Sequence, residues 1–194
     1  MKIAFCIPVH DYPKAQFMMS ALAMQEHTLT MRPDIKIQGH MVHRNSRIAQ
    51  AREWLAADAL NDGADAILWI DSDQVFPADL ALRLLGHGLP FVGCNYRKRR
   101  PEAAISASAN LIDGQRVPIK PQREGLEPVD LLGFGAVLTS AEIFRAVPRP
   151  WFEDGPQGED GYFSLKAKAA GFQPQIDHGI KVGHITETVL TFPD

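Results

Sequence analysis

The stretch Ala66-Ile67-Leu68-Trp69-Ile70-Asp71-Ser72-Asp73 decides the fold. Its first five residues are all apolar and too few for a helix, so they read as a strand buried on both faces, the pattern of a parallel sheet covered by helices. The strand stops by running into acid. Upstream, Lys2 to Val9 is another apolar run, rich in β-branched residues and ended by Pro8, and Ile35 to Val42 and Phe91 to Cys94 have the same strand character. Helical spacing falls between these strands. Phe17, Met18, Ala21, Leu22 and Met24 mark a helix over 14–26, and Ile48, Ala51, Leu55, Ala56 and Ala59 mark a second. Asn45 or Ser46 is placed to cap the second helix, and Gly63 to end it in a left-handed turn. Pro77 and Asp79 open a third helix that ends near Gly86 or Gly88. The alternation predicts an α/β fold with a mostly parallel central sheet flanked by helices.

Residues 97–130 differ, being rich in Arg, Pro, Gly and Gln. They predict a loop-rich excursion with strand-like pieces at 104–107 and 116–119. Gly133 to Thr139 resumes a core strand, Ser140 caps a short helix through Ala146, and a last helix covers 158–170. Gln175-Ile176 and Ile180 to Ile185 supply short strands. No repeat, low-complexity tract or linker divides the chain, so one domain is expected over residues 1–194.

At 194 residues with 45% hydrophobic side chains, the chain can bury roughly 70% of its unfolded surface in one core and needs no disulfide. A formal charge of −3 argues against binding nucleic acid along the whole surface. With Cys6 and Cys94 as the whole cysteine complement, both in apolar runs, a cysteine zinc site is excluded. Buried free thiols in a reducing, cytoplasmic compartment are expected. The run from Ile3 to Val9 is too short for a membrane span and lacks a signal-peptide layout.

Three clusters carry chemistry. Asp71 and Asp73 lie two apart, so on an extended strand they project to one face, at the carboxyl end where open α/β sheets bind ligands. Two hard carboxylates suit Mg2+ or Mn2+ with positions left open for phosphate oxygens; a turn using Asp for local hydrogen bonds explains the pattern equally. Glu159 and Asp160 open the last helix, where acidic groups offset the macrodipole and where an ionised Asp is also what a general base requires. His184 follows Gly183 near the end of an apolar strand; it is either packed in place or a neutral imidazole ligand beside the carboxylates.

In this order, on this element pattern, the chain resembles the GT-A fold of nucleotide-sugar-dependent glycosyltransferases, most nearly glycosyltransferase family 2 and similar compact bacterial and phage proteins. The marks are Ile7-Pro8-Val9, Ala51-Arg52, Leu68 to Pro77, Gly133-Phe134-Gly135-Ala136, Gly158-Glu159-Asp160 and His184. The resemblance implies a metal-dependent transfer of a sugar from a nucleotide-diphosphate donor to an acceptor hydroxyl, with inversion. It implies Asp71, Asp73 and His184 around Mn2+ or Mg2+. Pro8, Asp11, Arg52, Asp71, Ser72 and Asp73 are then expected on the donor, and Asp160 as base with Glu159 binding acceptor or positioning the helix. Gly133, Phe134 and Gly135 would line the acceptor side, where a missing side chain lets backbone approach the sugar. The chain departs from the pattern at His10-Asp11-Tyr12 and at Glu53, where similar proteins often carry Asn. It is also short for the family, which fits a trimmed acceptor platform or one completed in a homo-oligomer. A non-catalytic assembly protein on the same scaffold, and a sugar-phosphate nucleotidyltransferase, are the competing classes; the second usually has a glycine-rich basic loop after strand one, which residues 8–14 lack.

Two further features are ambiguous. The basic run Arg97 to Arg100, ended by Pro101, reads as a solvated loop or as a guide for anionic substrates. Trp151 and Phe152 read as core, or Trp151 as an acceptor stacking platform.

Overall fold

The computed structural model describes residues 1–42, 45–98 and 106–186. In chain order the elements are β1 (Lys2–Pro8), α1 (Ala15–Met31), β2 (Lys36–Val42), α2 (Ile48–Asn61), β3 (Ala66–Ile70), β4 (Gln74–Val75), α3 (Leu80–Gly86) and β5 (Phe91–Cys94). Then come β6 (Ala109–Ile112), β7 (Gln115–Pro118), β8 (Leu126–Pro128), β9 (Ala136–Ser140), α4 (Ala141–Ala146), α5 (Gly158–Ala169), β10 (Gln175–Asp177) and β11 (Gly183–His184).

The central sheet has seven strands in the order β2-β1-β3-β9-β5-β10-β8. β2, β1, β3, β5 and β10 run one way; β9 and the edge strand β8 run against them, so the sheet is mostly parallel. β1 and β3 pair parallel with Cys6 opposite Trp69, which places their carboxyl ends, Pro8 and Ile70, side by side. Chain leaving both strands therefore meets at one edge.

Strand alternation divides the core in two. On one face Ala4, Cys6, Ile67, Trp69, Val137 and Phe91 pack against α2, α4 and α5; on the other Ile3, Phe5, Leu68, Ile70 and Val92 pack against α1 and α3. Trp69 is fully buried, and its indole N–H donates to Thr139 Oγ1 at 3.0 Å, so the one polar atom of that ring is satisfied inside the sheet. Gly93 is where β5 approaches β9: a Cβ there would lie 2.8 Å from Ala136 O and from Val137 Cγ2. Phe163 fixes α5 to the sheet. Its ring stacks on Phe152 at 4.8 Å and 15° and on Phe144 at 5.0 Å and 27°, with Phe91 and Phe134 edge-on.

Several boundaries differ from expectation for identifiable reasons. α1 continues to Met31 because Met24 and Thr28 keep its buried stripe going past Glu26. α2 begins at Ile48 with Arg47 at its cap position; Asn45 Oδ1 accepts from the Arg47 N–H at 2.9 Å, two residues too early to cap the helix itself. Gly63 does take the left-handed turn, at φ 73°. β9 starts at Ala136, since Gly133 to Gly135 form a turn before it. Ser140 stands at the cap position of α4, but its side chain makes no capping bond. The excursion contains a hairpin, β6–β7, closed by Asp113 and Gly114 at φ 51° and 75°, the positive-φ pair that a two-residue hairpin turn requires. Of the piece expected at 104–107, residues 104 and 105 lie outside the described residues. Cys6 and Cys94 are buried free thiols, pushed up in pKa by burial. Among the described residues no helix is long and apolar enough to cross a membrane.

Because Phe163 joins α5 to the sheet, Phe163→Ala should lower stability in urea unfolding by about 3–5 kcal/mol, the cost of deleting a buried aromatic ring. Phe163→Leu should cost markedly less.

Candidate active site

Chain leaving β3 turns at once: the Gln74 N–H donates to Asp71 O at 3.1 Å, and the Asp71 N–H donates to Gly135 O at 3.2 Å. Asp71 and Asp73 thus sit on a tight turn beyond the strand, not on the strand itself, and the turn brings both to one cleft. β4 then pairs with β11, setting His184 opposite Gln74, while the Ile185 N–H donates to Asp73 O at 2.8 Å. A residue 111 positions further along the sequence is in this way delivered beside Asp73: His184 Nε2 lies 3.5 Å from Asp73 Oδ2. His184 Nδ1 lies 3.0 Å from Arg97 O, an acceptor only, so Nδ1 carries the hydrogen. In a neutral imidazole that hydrogen leaves the Nε2 lone pair facing Asp73, the orientation of a metal-ligating imidazole held by a carbonyl behind it.

The opposite wall comes from α2 and α5. Arg52 is 2% exposed and reaches two elements with one planar fork: Nη2 donates to Asp71 Oδ1 at 2.9 Å and Nε to Glu159 Oε1 at 3.2 Å. Its guanidinium lies over Phe134 at 5.2 Å and near Trp69 at 6.0 Å, so aromatic faces cover the cation where water is excluded. Burial pulls Arg52 towards neutrality, but Asp71, Glu159 and Asp160 outweigh it and hold the guanidinium above its ordinary range. Burial also raises Asp71, against the pull of Arg52. Asp160, in the first turn of α5, is pushed up to about 6 by burial and then by Glu159; the Gly161 N–H, donating to its Oδ1 at 2.7 Å, and Arg52 act the other way.

These groups enclose a cleft of about 360 Å³ at the carboxyl ends of β1 and β3. Pro8, Arg52, Asp71, Ser72, Asp73, Glu159, Asp160 and His184 all line it, together with Asn45 and Tyr96. Among the described residues Arg52 Nη1 and Asn45 Nδ2 are buried donors that meet no acceptor, placed to meet the oxygens of a ligand. No group of three His, Cys, Asp or Glu converges among the described residues, because Asp71 is turned to Arg52; Asp73 and His184 form the facing pair. Two protein ligands suffice for Mg2+ or Mn2+ when phosphate oxygens and water complete the shell, so the donor set fits such an ion.

Other expected residues lie elsewhere. Asp11 is exposed, bonded to His10 Nδ1 at 2.8 Å, and does not line the cleft, although His10 before it does. Phe134 is fully buried among Trp69, Phe91 and Phe163, so its ring faces the core and not an acceptor. Trp151 is likewise buried, its indole N–H donating to Phe144 O and Val147 O, both at 3.0 Å. Gly133 and Gly135 make room for a side chain of this protein. A Cβ on Gly135 would lie 2.5 Å from Tyr96 Cζ, and one on Gly133 3.1 Å from the Tyr96 hydroxyl, which accepts from the Gly135 N–H at 3.0 Å. Tyr96 was not anticipated. The available signal was its place two residues past Cys94, the carboxyl end of β5, the rule that singled out Asp71. Within the basic run, Arg97 is exposed; Arg99, Arg100 and Pro101 lie outside the described residues.

No family model matches the chain, and no curated protein matches its sequence. Its structure is similar to that of A197 from STIV, with a TM-score of 0.66 and 17% identity, covering 96% of this chain and 87% of that one. It is similar to GalNAc-T7 with UDP, GalNAc and Mn2+, at 0.59 and 12%, covering 96% of this chain and 43% of that one, so it spans under half of that relative's length. It is similar to a mutant of Drosophila beta-1,4-galactosyltransferase 7 in complex with manganese, UDP-Gal and xylobiose, at 0.53 and 15%, covering 96% and 71%. At these identities the likeness is one of fold: the chain has a GT-A-like, Rossmann-like α/β fold, that of nucleotide-sugar glycosyltransferases.

Proposed function

We propose that this protein is a metal-dependent glycosyltransferase that moves a sugar from a nucleoside-diphosphate sugar to an acceptor hydroxyl with inversion. One observation carries the reading: on a GT-A-like fold, the turn after β3, the β4–β11 pair and the start of α5 bring Asp71, Asp73, His184, Glu159 and Asp160 into one cleft around a buried arginine. Asp73 and His184 Nε2 would hold Mn2+ or Mg2+, with Asp71 beside them towards ribose or metal. When bound, the ion supplies a fixed positive charge for the leaving diphosphate; by Coulomb scaling at about 4 Å and an effective dielectric near 20 this is on the order of 8 kcal/mol before desolvation.

Asp160 has the properties of the base. With a carboxyl near 6 it is largely ionised at pH 7, yet basic enough to accept the proton of an attacking hydroxyl. Glu159, tied to Arg52, is better suited to positioning α5 than to moving a proton. The buried donors Arg52 Nη1 and Asn45 Nδ2 are available to donor oxygens.

UDP binding followed by isothermal titration should require Mn2+, and Asp73→Ala and His184→Ala should each weaken it by about tenfold or more, as loss of a metal-site residue does. Equal binding of UDP with and without Mn2+ contradicts the assignment. Asp160→Asn should lower turnover of the donor by about 10²- to 10⁴-fold, the usual worth of a positioned base. The wild-type rate should rise with pH through about 6 as Asp160 loses its proton, and the variant should lack that limb. The stability sign follows from the same shift: a carboxyl raised in the folded state stabilises the fold at low pH and loses that contribution as pH rises through about 6, so Asp160→Asn should gain in melting temperature relative to wild type between pH 5 and 8.

A further inference from the structure

A second cavity, of about 250 Å³, opens at the carboxyl ends of β5 and β10. It adjoins the candidate active site, because Tyr96 lines both. Behind that shared wall the His184 Nδ1–H donates to Arg97 O, and Arg97 lines the second cavity. Ile180 and Val182 supply apolar surface, and Asn95, Gln122 and Lys181 supply polar groups.

The two cavities differ in charge. Four carboxylates, Asp71, Asp73, Glu159 and Asp160, line the first. No carboxylate is among the described residues lining the second, whose charged side chains are Arg97 and Lys181. Lys181 Nζ donates to three backbone carbonyls, of His178 at 2.7 Å, Arg123 at 3.1 Å and Gln122 at 3.4 Å. Carbonyl dipoles fix the ammonium in place without cancelling its charge. Glu127, which touches two of the lining residues, is engaged by His178 Nε2 at 2.8 Å and by Gln122 Nε2 at 2.8 Å. A cation tethered by carbonyls beside apolar walls, with no anion among the described residues lining the space, favours oxyanions.

We propose that this cavity seats an oxyanion, a phosphate or carboxylate, carried by the acceptor whose hydroxyl reacts in the adjoining cleft. The acceptor part of this inference rests on the glycosyl-transfer reading; the anion site stands without it. The four carboxylates of the cleft repel such a group, so opposite potentials on the two sides of Tyr96 orient the acceptor hydroxyl-first towards Asp160.

The test is a 15N–1H NMR titration of the full chain, without nucleotide or metal, using glycerol 3-phosphate, glycerate and glycerol. The anions should shift the amides of Asn95, Gln122, Lys181 and Val182, and glycerol should not. Lys181→Glu should weaken anion binding by about tenfold or more, the effect of reversing a charge beside a bound anion. Lys181→Gln, which can still donate to the loop carbonyls, should weaken it too, separating charge from folding. Vesicles of phosphatidylcholine with phosphatidic acid identify the source of the phosphate. Lys181-dependent co-sedimentation supports a lipid-borne headgroup, and soluble binding alone supports a small phosphorylated acceptor. UDP with Mn2+ and glycerol 3-phosphate should bind together. Glycerol shifting the same amides equally, anion shifts confined to the cleft or absent, shifts unchanged in both variants, or competition between glycerol 3-phosphate and UDP would overturn the proposal. Failure of UDP to bind would remove the donor reading and leave the anion result to be judged by itself.

Discussion

The site depends on one buried cation. Arg52 is the meeting point of α2, the turn after β3 and the first turn of α5, and its two ion pairs are what hold Asp71 and Glu159 at fixed positions against their mutual repulsion. Only a planar fork with several donors can serve two carboxylates from different elements at once, and only such a weakly hydrated ion tolerates the aromatic cover that Phe134 and Trp69 provide. The arrangement leaves Asp160, next in sequence to Glu159, buried without a strong pair of its own, which is why its carboxyl rises while its neighbour's charge is compensated. Structural and chemical roles are thus divided between adjacent acids.

Tyr96 does for the other half of the sheet edge what Arg52 does for this half. Its ring fills the space that Gly133 and Gly135 leave open, meets His184 edge-on at 5.7 Å, and separates an acidic cleft from a cavity lined by cationic side chains. Burial raises its phenol well above the ordinary range, so the wall stays neutral at working pH. The short β4–β11 pair completes the edge by carrying the C-terminal segment back to Asp73.

Much of this was legible in the residues. Buried strands such as β3 announce themselves as unbroken apolar runs, and the rule that ligands gather at carboxyl ends of parallel strands pointed at Asp71 and Asp73 before any coordinate. The placement of Asp160 and His184 beside them came from resemblance, since no local pattern says where two distant segments meet. What failed was the reading of apolar and small residues as substrate surface. Phe134 and Trp151 carry no mark that separates a stacking platform from a core ring, and burial took both. Gly133 and Gly135 do mark a close approach, but the groups that approach are Ala107 and the Tyr96 hydroxyl at Gly133 and the Tyr96 ring at Gly135. Asp11 follows His10, which lines the cleft, but its own side chain is exposed and paired with that histidine. The Asp113-Gly114 turn, by contrast, was a hairpin signal within a stretch read as a loop-rich excursion with strand-like pieces at 104–107 and 116–119.

The most direct measurement is the unfolding free energy of Arg52→Met beside that of the triple variant Arg52→Met, Asp71→Asn, Glu159→Gln. If Arg52 holds the site together by compensating two part-buried acids, the single change should cost about 1–3 kcal/mol, because it strands both carboxylates, and neutralising them should restore most of that loss. A single variant within about 0.5 kcal/mol of wild type, or a triple variant no more stable than the single one, would contradict the account.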